Sequence, residues 1–583
     1  MLCHDSHSPY YRTPAGPVPA GSQVTFRFVS DDAAGVILRT WMDEERAYPM
    51  TFDGHRVWEL SLTLPDKLGI FWYDFIIYHS DGYTQRYGAP EDDLGGEGHV
   101  CEGHLHSFRI TLFNRTWRTP EWMHGANIYQ IFPDRFYKGE AEIRDDTPGR
   151  RMHKKWNEDF FPMRERENGS MDFWGGNLNG IREKLPYLKE MGVTVLYLNP
   201  IFKSLHNHHY DTGDYTKVDP LLGSEEDFDA LKEACDEVGI AIMLDGVFSH
   251  TGQDSIYFNA FGRYDSLGAA QSRESPYYSW YSFEEYPTRY RCWWGDASLP
   301  ECRKSDPSYQ RFIFDSEEGI VPLWIKRGAG GWRLDVADEL TMDFLRKLRF
   351  AARTTREDAL VLGEVWEDAS NKESYGEIRC YCAGDTLDSV MNYPLRSAVL
   401  GFAMGEITAF ELARLIRHQA EVYPVPFRYA LMNLLGSHDR ARVLNMLVGK
   451  EYSGTPRTEQ HKVKLSRAEY NLAVKRYKLC LDITCALPGC PTVYYGDEAG
   501  MTGCSDPFCR KPFPWGHEDV NLQEFVKGRL NHHRDSAILR TGFCEVEATD
   551  DDTLTVRRYM LDGRDAFGCR TEVTGEENFT FRR

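Results

Sequence analysis

Arg333 and Asp335 stand two residues apart in the stretch GWRLDVADE, with Trp332, Leu334 and Val336 alternating around them. On a β-strand, residues two apart share a face. The arginine and the aspartate therefore point one way, and the apolar residues point the other, toward a helix layer. An arginine beside an aspartate favours the ionised carboxylate and fixes its position. An ionised carboxylate at a strand end is a nucleophile or a stabiliser of positive charge. Taken alone, the pair reads as a structural salt bridge. Other stretches change that reading. DGVFSH carries Asp245 and His250, LGEVWE carries Glu364 and Trp366, LGSHD carries His438 and Asp439, and NHHYDTGDY carries Tyr210 and Asp211. One polar residue at a strand end is common. Carboxylates gathered with histidines and an arginine cost stability, and that cost points to chemistry.

Asp335 and Glu364 fall on consecutive strands, and neighbouring strands lie ~4.8 Å apart. Side chains at matching heights then sit roughly 5 Å apart, the spacing of a retaining glycosidase pair rather than an inverting one. The arginine is expected to keep Asp335 ionised as the nucleophile. Apolar flanks, Val365 and Trp366, are expected to raise the pKa of Glu364, as a general acid needs. Position alone assigns Asp439 no proton-transfer role. A third carboxylate can bind sugar hydroxyls and favour a distorted ring.

Strands and helices must position these groups, and they alternate from about Asn127 onward. NIYQIFPDRF, VTVLYLNPIF, IAIMLDGVFSH, GWRLDV, ALVLGEVWE, a weaker SVMNYPL, YALMNLLGSHD and PTVYYGDE read as strands. Between them, 177–192 reads as one helix, 224–239 as a helix opened by a Ser cap, and 309–327 as another helix. Parallel units with near-continuous apolar strands predict a closed (β/α)8 TIM barrel over 119–540, with its active site at the C-terminal strand ends. A Tyr-, Trp- and Gly-rich piece, 251–307, is expected as a subdomain inserted after strand 3. Residues 1–118 show short alternating strands between turn clusters, an N-terminal β-sandwich, and 541–583 reads as a short C-terminal β-module.

The chain has 583 residues and a net charge of −21, which disfavours nucleic acid and anionic membrane surfaces. No apolar run reaches membrane-spanning length, and the N-terminus has no apolar leader core, so a cytoplasmic protein is expected. Its 14 cysteines are scattered through a long chain and read as reduced thiols. Cys380/Cys382 and Cys504/Cys509 lack zinc-site spacing.

In order and spacing, DGVFSH, GWRLDVADE, GEVWE and LLGSHD resemble the four sequence regions of the α-amylase superfamily, glycoside hydrolase family 13. The likeness runs roughly from Asn127 to Trp515. More narrowly, the chain is similar to the neopullulanase, cyclomaltodextrinase and maltogenic amylase group, on its N-terminal β-domain, on NHHYDTGDY and on YYGDEAGMTGCSDPFCRKPFPW. The resemblance implies Asp335 as nucleophile, Glu364 as acid/base and Asp439 as transition-state stabiliser. It implies sugar contacts from Arg333, His250 and His438, with Asp245 beside them at the strand ends, and stacking by Tyr210. Trp366 would line the leaving-group side, and Asp506 and Arg510 would contact sugar on the glycone side. The implied activity is retaining cleavage of α-1,4 bonds, with some α-1,6, in maltooligosaccharides, cyclodextrins or pullulan, and transfer to sugar hydroxyls. A homodimer through the N-terminal domain is implied as well. An exo-acting α-glucosidase or glucosyltransferase on the same scaffold, and a non-catalytic sugar-binding relative, are the alternatives.

Departures bear on metal and substrate. Ser249 stands where the family has an Asn that helps bind calcium, Asn177 stands where Asp is usual, and YKGEAEIRDD lacks an Asn/Asp-rich ligand set. A hard cation needs several oxygen ligands, so no essential calcium and no metal cofactor are expected. SLPECRKSDP replaces the subgroup's MPKLN, with only Pro300 fitting.

Overall fold

The computed structural model describes residues 2–140, 147–157, 169–450 and 456–583. Near the N-terminus, two antiparallel sheets lie face to face. One is built on Gln23–Ser30 and Val57–Thr63, the other on Ala33–Trp41, Gly69–His79 and Phe108–Phe113. Gln23–Ser30 alternates strictly, so Val24, Phe26 and Phe28 all face Tyr73, Phe75 and Ile77 of the opposite sheet in one core.

Eight parallel strands follow: β1 (Ile128–Ile131), β2 (Val195–Leu198), β3 (Ala241–Gly246), β4 (Gly331–Leu334), β5 (Leu360–Gly363), β6 (Ser389–Val390), β7 (Met432–Leu434) and β8 (Cys490–Tyr494). Their hydrogen-bonded order runs β6-β5-β4-β3-β2-β1-β8-β7, and a parallel bridge between Met391 and Met432 joins the two ends into a closed barrel. The pleat sorts every strand. Ile128, Val195, Tyr197, Met243, Leu360 and Leu362 form the barrel interior. Their neighbours Tyr129, Leu196, Ile242, Trp332 and Val361 face the helix ring. Trp332 is fully buried between Phe202 and Phe248. Truncating such a ring costs about 3–5 kcal/mol. Gly331 starts β4 because a Cβ there would stand 2.3 Å from the Leu360 carbonyl oxygen, so only glycine lets the two strands meet.

Two of the expected helices are each broken in two. The first is α1 (Leu178–Glu183) and α2 (Leu185–Glu190), which meet at Lys184. Pro186 has no N–H, and its ring excludes the carbonyl one turn back, so a single helix cannot continue. The third expected helix is α4 (Pro307–Phe314) and α5 (Ile320–Lys326), separated by the acidic run Asp315–Gly319. The middle one, α3 (Glu225–Val238), starts where expected. Ser224 and Asp227 make a reciprocal capping box, and Gly239 ends it in the left-handed region.

Residues 251–307 fold as irregular chain with one small antiparallel pair, Phe283–Glu285 with Arg289–Tyr290. A bridge between His250 and Glu301 closes the base of this insertion at the top of β3. After the barrel, Phe543–Asp550, Thr553–Tyr559 and Glu576–Arg582 form a three-stranded antiparallel sheet. Its Val546 carbonyl accepts from Arg417 on the helix Ala409–Val422.

Candidate active site

The carboxyl ends of β3, β4 and β5 converge on one guanidinium. Arg333 is fully buried, and its Nη1 lies 2.7 Å from Asp245 Oδ1 and 3.0 Å from Asp335 Oδ1. Its Nη2 lies 2.8 Å from Glu364 Oε2. Register explains the convergence: Asp245 pairs with Arg333 across β3–β4, and Leu334 pairs with Gly363 across β4–β5. Asp335 and Glu364 are each the next residue, at matched height. Val336, directly after Asp335, holds φ +36° and ψ +72°, a conformation that a β-branched residue adopts only under strain. That bend turns its N–H onto Glu364 Oε2 at 3.0 Å.

A second chain of contacts continues from Asp245. Its Oδ2 accepts from Tyr197 Oη at 2.6 Å and from Tyr210 Oη at 2.8 Å. Tyr210 Oη also lies 2.5 Å from His438 Nε2, and the two rings stack 5 degrees from parallel. Gln130 Nε2 stands 2.9 Å from His438 Nδ1. An amide N–H can only donate there, so the histidine proton sits on Nε2. Asp439 lies 3.1 Å from the same Nε2 and 3.4 Å from Arg510 Nη2, and Arg510 Nη1 pairs with Asp506 at 3.0 Å. His250 Nε2 faces the Tyr210 carbonyl at 3.1 Å, while Ser249 Oγ lies 2.8 Å from its Nδ1. Burial lowers the His250 pKa to about 4 and that of His438 well below its ordinary value. Both rings are neutral at pH 7 and donate from Nε2. Trp366 Nε1 donates to Glu364 Oε1 at 3.1 Å, and its half-exposed ring stacks on Tyr393 at 4.1 Å. Eleven of the residues singled out from the sequence, all but Asp211, thus form one connected constellation at one end of the barrel.

Comparison with known proteins follows from this geometry. Residues 130–551 match the family described as alpha amylase, catalytic domain. The chain belongs to the α-amylase family of glycoside hydrolases. It is 36% identical, over 97% of its length, to an amylopullulanase of Thermoanaerobacterium saccharolyticum, of which it covers 47%. It is 33% identical, over 84% of its length, to a cyclomaltodextrinase of Geobacillus thermopakistaniensis, of which it covers 74%. Among solved structures, the cyclic alpha-maltosyl-(1→6)-maltose hydrolase of Arthrobacter globiformis matches with a TM-score of 0.64 and 31% identity, covering 76% of this chain and 90% of that one. The chain spans less than half the length of the amylopullulanases it matches.

In this α-amylase family site, two electrostatic expectations need correction. Arg333 does not hold Asp335 ionised by itself, because it is shared with Asp245 and Glu364. Burial pushes the Asp335 carboxyl well above its usual range, and the charges of Glu364 and Asp245 add to that push. Asp245 is raised too, first by burial. At Asp335 and Asp245, burial therefore works against the shared guanidinium. The second correction concerns Glu364. Its carboxylate is faced by the Val336 N–H, the Trp366 N–H and Arg333, not by an apolar wall.

Gln130, Tyr197 and Asn199 were missed. Asn199 Nδ2 donates to Tyr210 Oη at 3.0 Å and takes part with Gln130 in fixing the stacked pair. The signal was present: Gln130 and Tyr197 are the polar members of apolar strands, on the inward face by period two.

Burial raises the Asp439 pKa to about 7, with the charge of Glu364 adding to it. A carboxyl whose folded pKa lies above its unfolded value binds more protons when folded. Its contribution to stability is therefore lost as pH rises from about 4 through 7. Asp439→Asn should accordingly be more stable than the wild type at pH 8, with the difference shrinking steadily toward pH 3, by thermal unfolding. Because Asp439 stays 31% exposed, the expected gain is only about 1–2 kcal/mol.

Proposed function

We propose that this chain is a retaining α-glucan hydrolase with Asp335 as nucleophile and Glu364 as acid/base. The observation that carries the reading is the one guanidinium joining both carboxylates at matched heights on β4 and β5. Carboxylates that close are a retaining pair, and they leave no room for the water an inverting enzyme holds between them. Asp335 attacks the anomeric carbon while Glu364 gives a proton to the glycosidic oxygen, which departs as a hydroxyl. Glu364 then takes a proton from water, or from a sugar hydroxyl, and that oxygen displaces Asp335. The α configuration is restored, by hydrolysis or by transfer. Tyr210 forms the floor under the reacting ring. His438 donates from Nε2, His250 turns its Nε2–H from the Tyr210 carbonyl to the sugar, and Asp439 accepts hydroxyls and favours the distorted ring. Arg510 and Asp506 stand on the glycone side and Trp366 on the leaving-group side.

The names of the relatives support α-1,4 cleavage with an α-1,6 share: amylopullulanase, neopullulanase and cyclomaltodextrinase. The catalytic scheme uses no cofactor. Asn177 caps α1 by accepting from Gly180 N–H at 2.8 Å, and Ser249 serves His250; both are neutral oxygens where a hard cation prefers charged ones. In the third expected calcium segment, residues 141–146 lie outside the described residues. A chelator is therefore expected to leave kcat at saturating substrate unchanged. Thiols spread through apolar segments support a reducing, cytoplasmic setting. We also propose a homodimer through the N-terminal sandwich. A monomer by light scattering would remove that part. No helix among the described residues is long and apolar enough to cross a membrane.

The test is a side-by-side time course on β-cyclodextrin, pullulan and soluble starch, with products resolved by size and anomer. Ring opening fastest on cyclodextrin, panose from pullulan and α-anomers throughout are expected. Glucose as the sole early product would favour an exo-acting α-glucosidase. Inverted anomers would overturn the mechanism.

A further inference from the structure

The loop Ser204–Asp211 carries more ligating side chains than the sugar site uses. His206 and His208 stack with centroids 5.3 Å apart and planes 18° from parallel. Both turn their Nδ1 atoms to Asp211: His206 Nδ1 lies 2.9 Å from Oδ2, and His208 Nδ1 lies 3.8 Å from Oδ1. One ligand atom from each residue falls within 4.8 Å of the others. The carboxylate is pre-set, because Ser204 Oγ donates to Oδ1 at 2.5 Å and Leu205 N–H donates to Oδ2 at 3.2 Å. The imidazoles are reachable, with side chains 25% and 22% exposed, so water can complete a coordination shell. Two imidazoles and one carboxylate are the donors of a three-ligand site with an open position, which suits a borderline cation. Calcium or magnesium would want more oxygen.

We propose that His206, His208 and Asp211 bind a divalent cation of the Zn²⁺ class, and that this cation antagonises sugar binding. The second half rests on the reading of Tyr210 as the floor of the sugar site; the first half does not. His208 Nδ1 accepts the Tyr210 N–H at 3.1 Å, and its ring stacks on Tyr210 at 6.1 Å. A cation at Nδ1 takes the lone pair that this N–H uses, so the Tyr210 backbone loses its acceptor. The proton between His206 and Asp211 leaves to Nε2 or to solvent as the ion enters. Linkage makes the effect reciprocal, so bound oligosaccharide weakens the ion by the factor by which the ion weakens the oligosaccharide.

Calorimetric titration of the full chain with zinc chloride, in the absence of sugar, tests the site. Cobalt(II) absorption reports the ligand set independently. The wild type should bind one ion per chain at this loop, and His206→Ala should lose roughly 10- to 100-fold in affinity while keeping its metal-free activity. Zinc should raise the KM for maltoheptaose in the wild type and not in His206→Ala. No saturable binding by the wild type, or equal affinity in the variant, overturns the site. Binding that leaves KM unchanged overturns the antagonism. Either result can be read even if the chain turns out to act on a different glucan.

Discussion

Asp335→Ala is expected to lose roughly 10⁴-fold or more of kcat on maltoheptaose while still binding it. The side chain is almost fully buried at the end of β4, and its only charged donor among the described residues is a guanidinium that also serves two other carboxylates. Removing it deletes the proposed attacking atom and leaves Tyr210, His438 and Arg510, the proposed sugar contacts, in place. It also relieves crowding of like charges, so the variant should fold and melt no lower than the wild type at pH 8. That rules out unfolding as the cause of lost activity. Azide makes the assignment specific. With α-maltosyl fluoride, the gap left by Asp335 admits azide, which attacks the anomeric carbon once and yields the β-azide. Asp335→Asn should show the same loss without the gap. Near-wild-type hydrolysis by either variant, or an α-azide from Asp335→Ala, would remove Asp335 from the nucleophile's place.

The constellation was legible because strand periodicity places side chains without tertiary knowledge. Arg333 and Asp335 share a face wherever that strand lies, and β5 follows β4 in sequence as it does in the sheet. What was not legible is the sharing of charge. Asp245 meets Arg333 through the register between β3 and β4, with the whole 251–307 insertion intervening. No local pattern reports a register, so a salt bridge read as a pair is in fact a group of four. The breaks at Lys184 and at Asp315–Gly319 were visible as Pro186 and an acidic run, but apolar spacing continues across both. The fastening of the loop after Glu364 was silent. Arg109 of the N-terminal sandwich pairs with Asp368, four residues past Glu364, and His418 Nε2 meets the same carboxylate at 3.0 Å. Those partners pull the Asp368 carboxyl far below its usual range, so this anchor is fully ionised at working pH. The N-terminal sheets thus touch the loop that follows Glu364, a contact that only the folded chain discloses.

Glu364→Ala should lose about 10²- to 10⁴-fold on maltoheptaose, where the leaving oxygen needs a proton. It should lose far less in the first step on α-maltosyl fluoride, because fluoride departs without one. The second step then limits turnover: no base remains to take the proton from water, and the maltosyl group accumulates on Asp335. Azide needs no base, so it should restore turnover here as well. The product distinguishes the two residues. In Glu364→Ala, azide displaces an enzyme-bound β-linked sugar and gives the α-azide. In Asp335→Ala, it attacks the α-fluoride directly and gives the β-azide. Opposite anomers from two neighbouring carboxylates follow only if one forms the covalent bond and the other moves the proton. If Glu364→Ala were equally slow on the fluoride and on maltoheptaose, and unmoved by azide, its role would be to support the Val336 N–H and Arg333 around the nucleophile. The proton would then have to come from Asp439, the remaining site carboxyl whose pKa lies near 7.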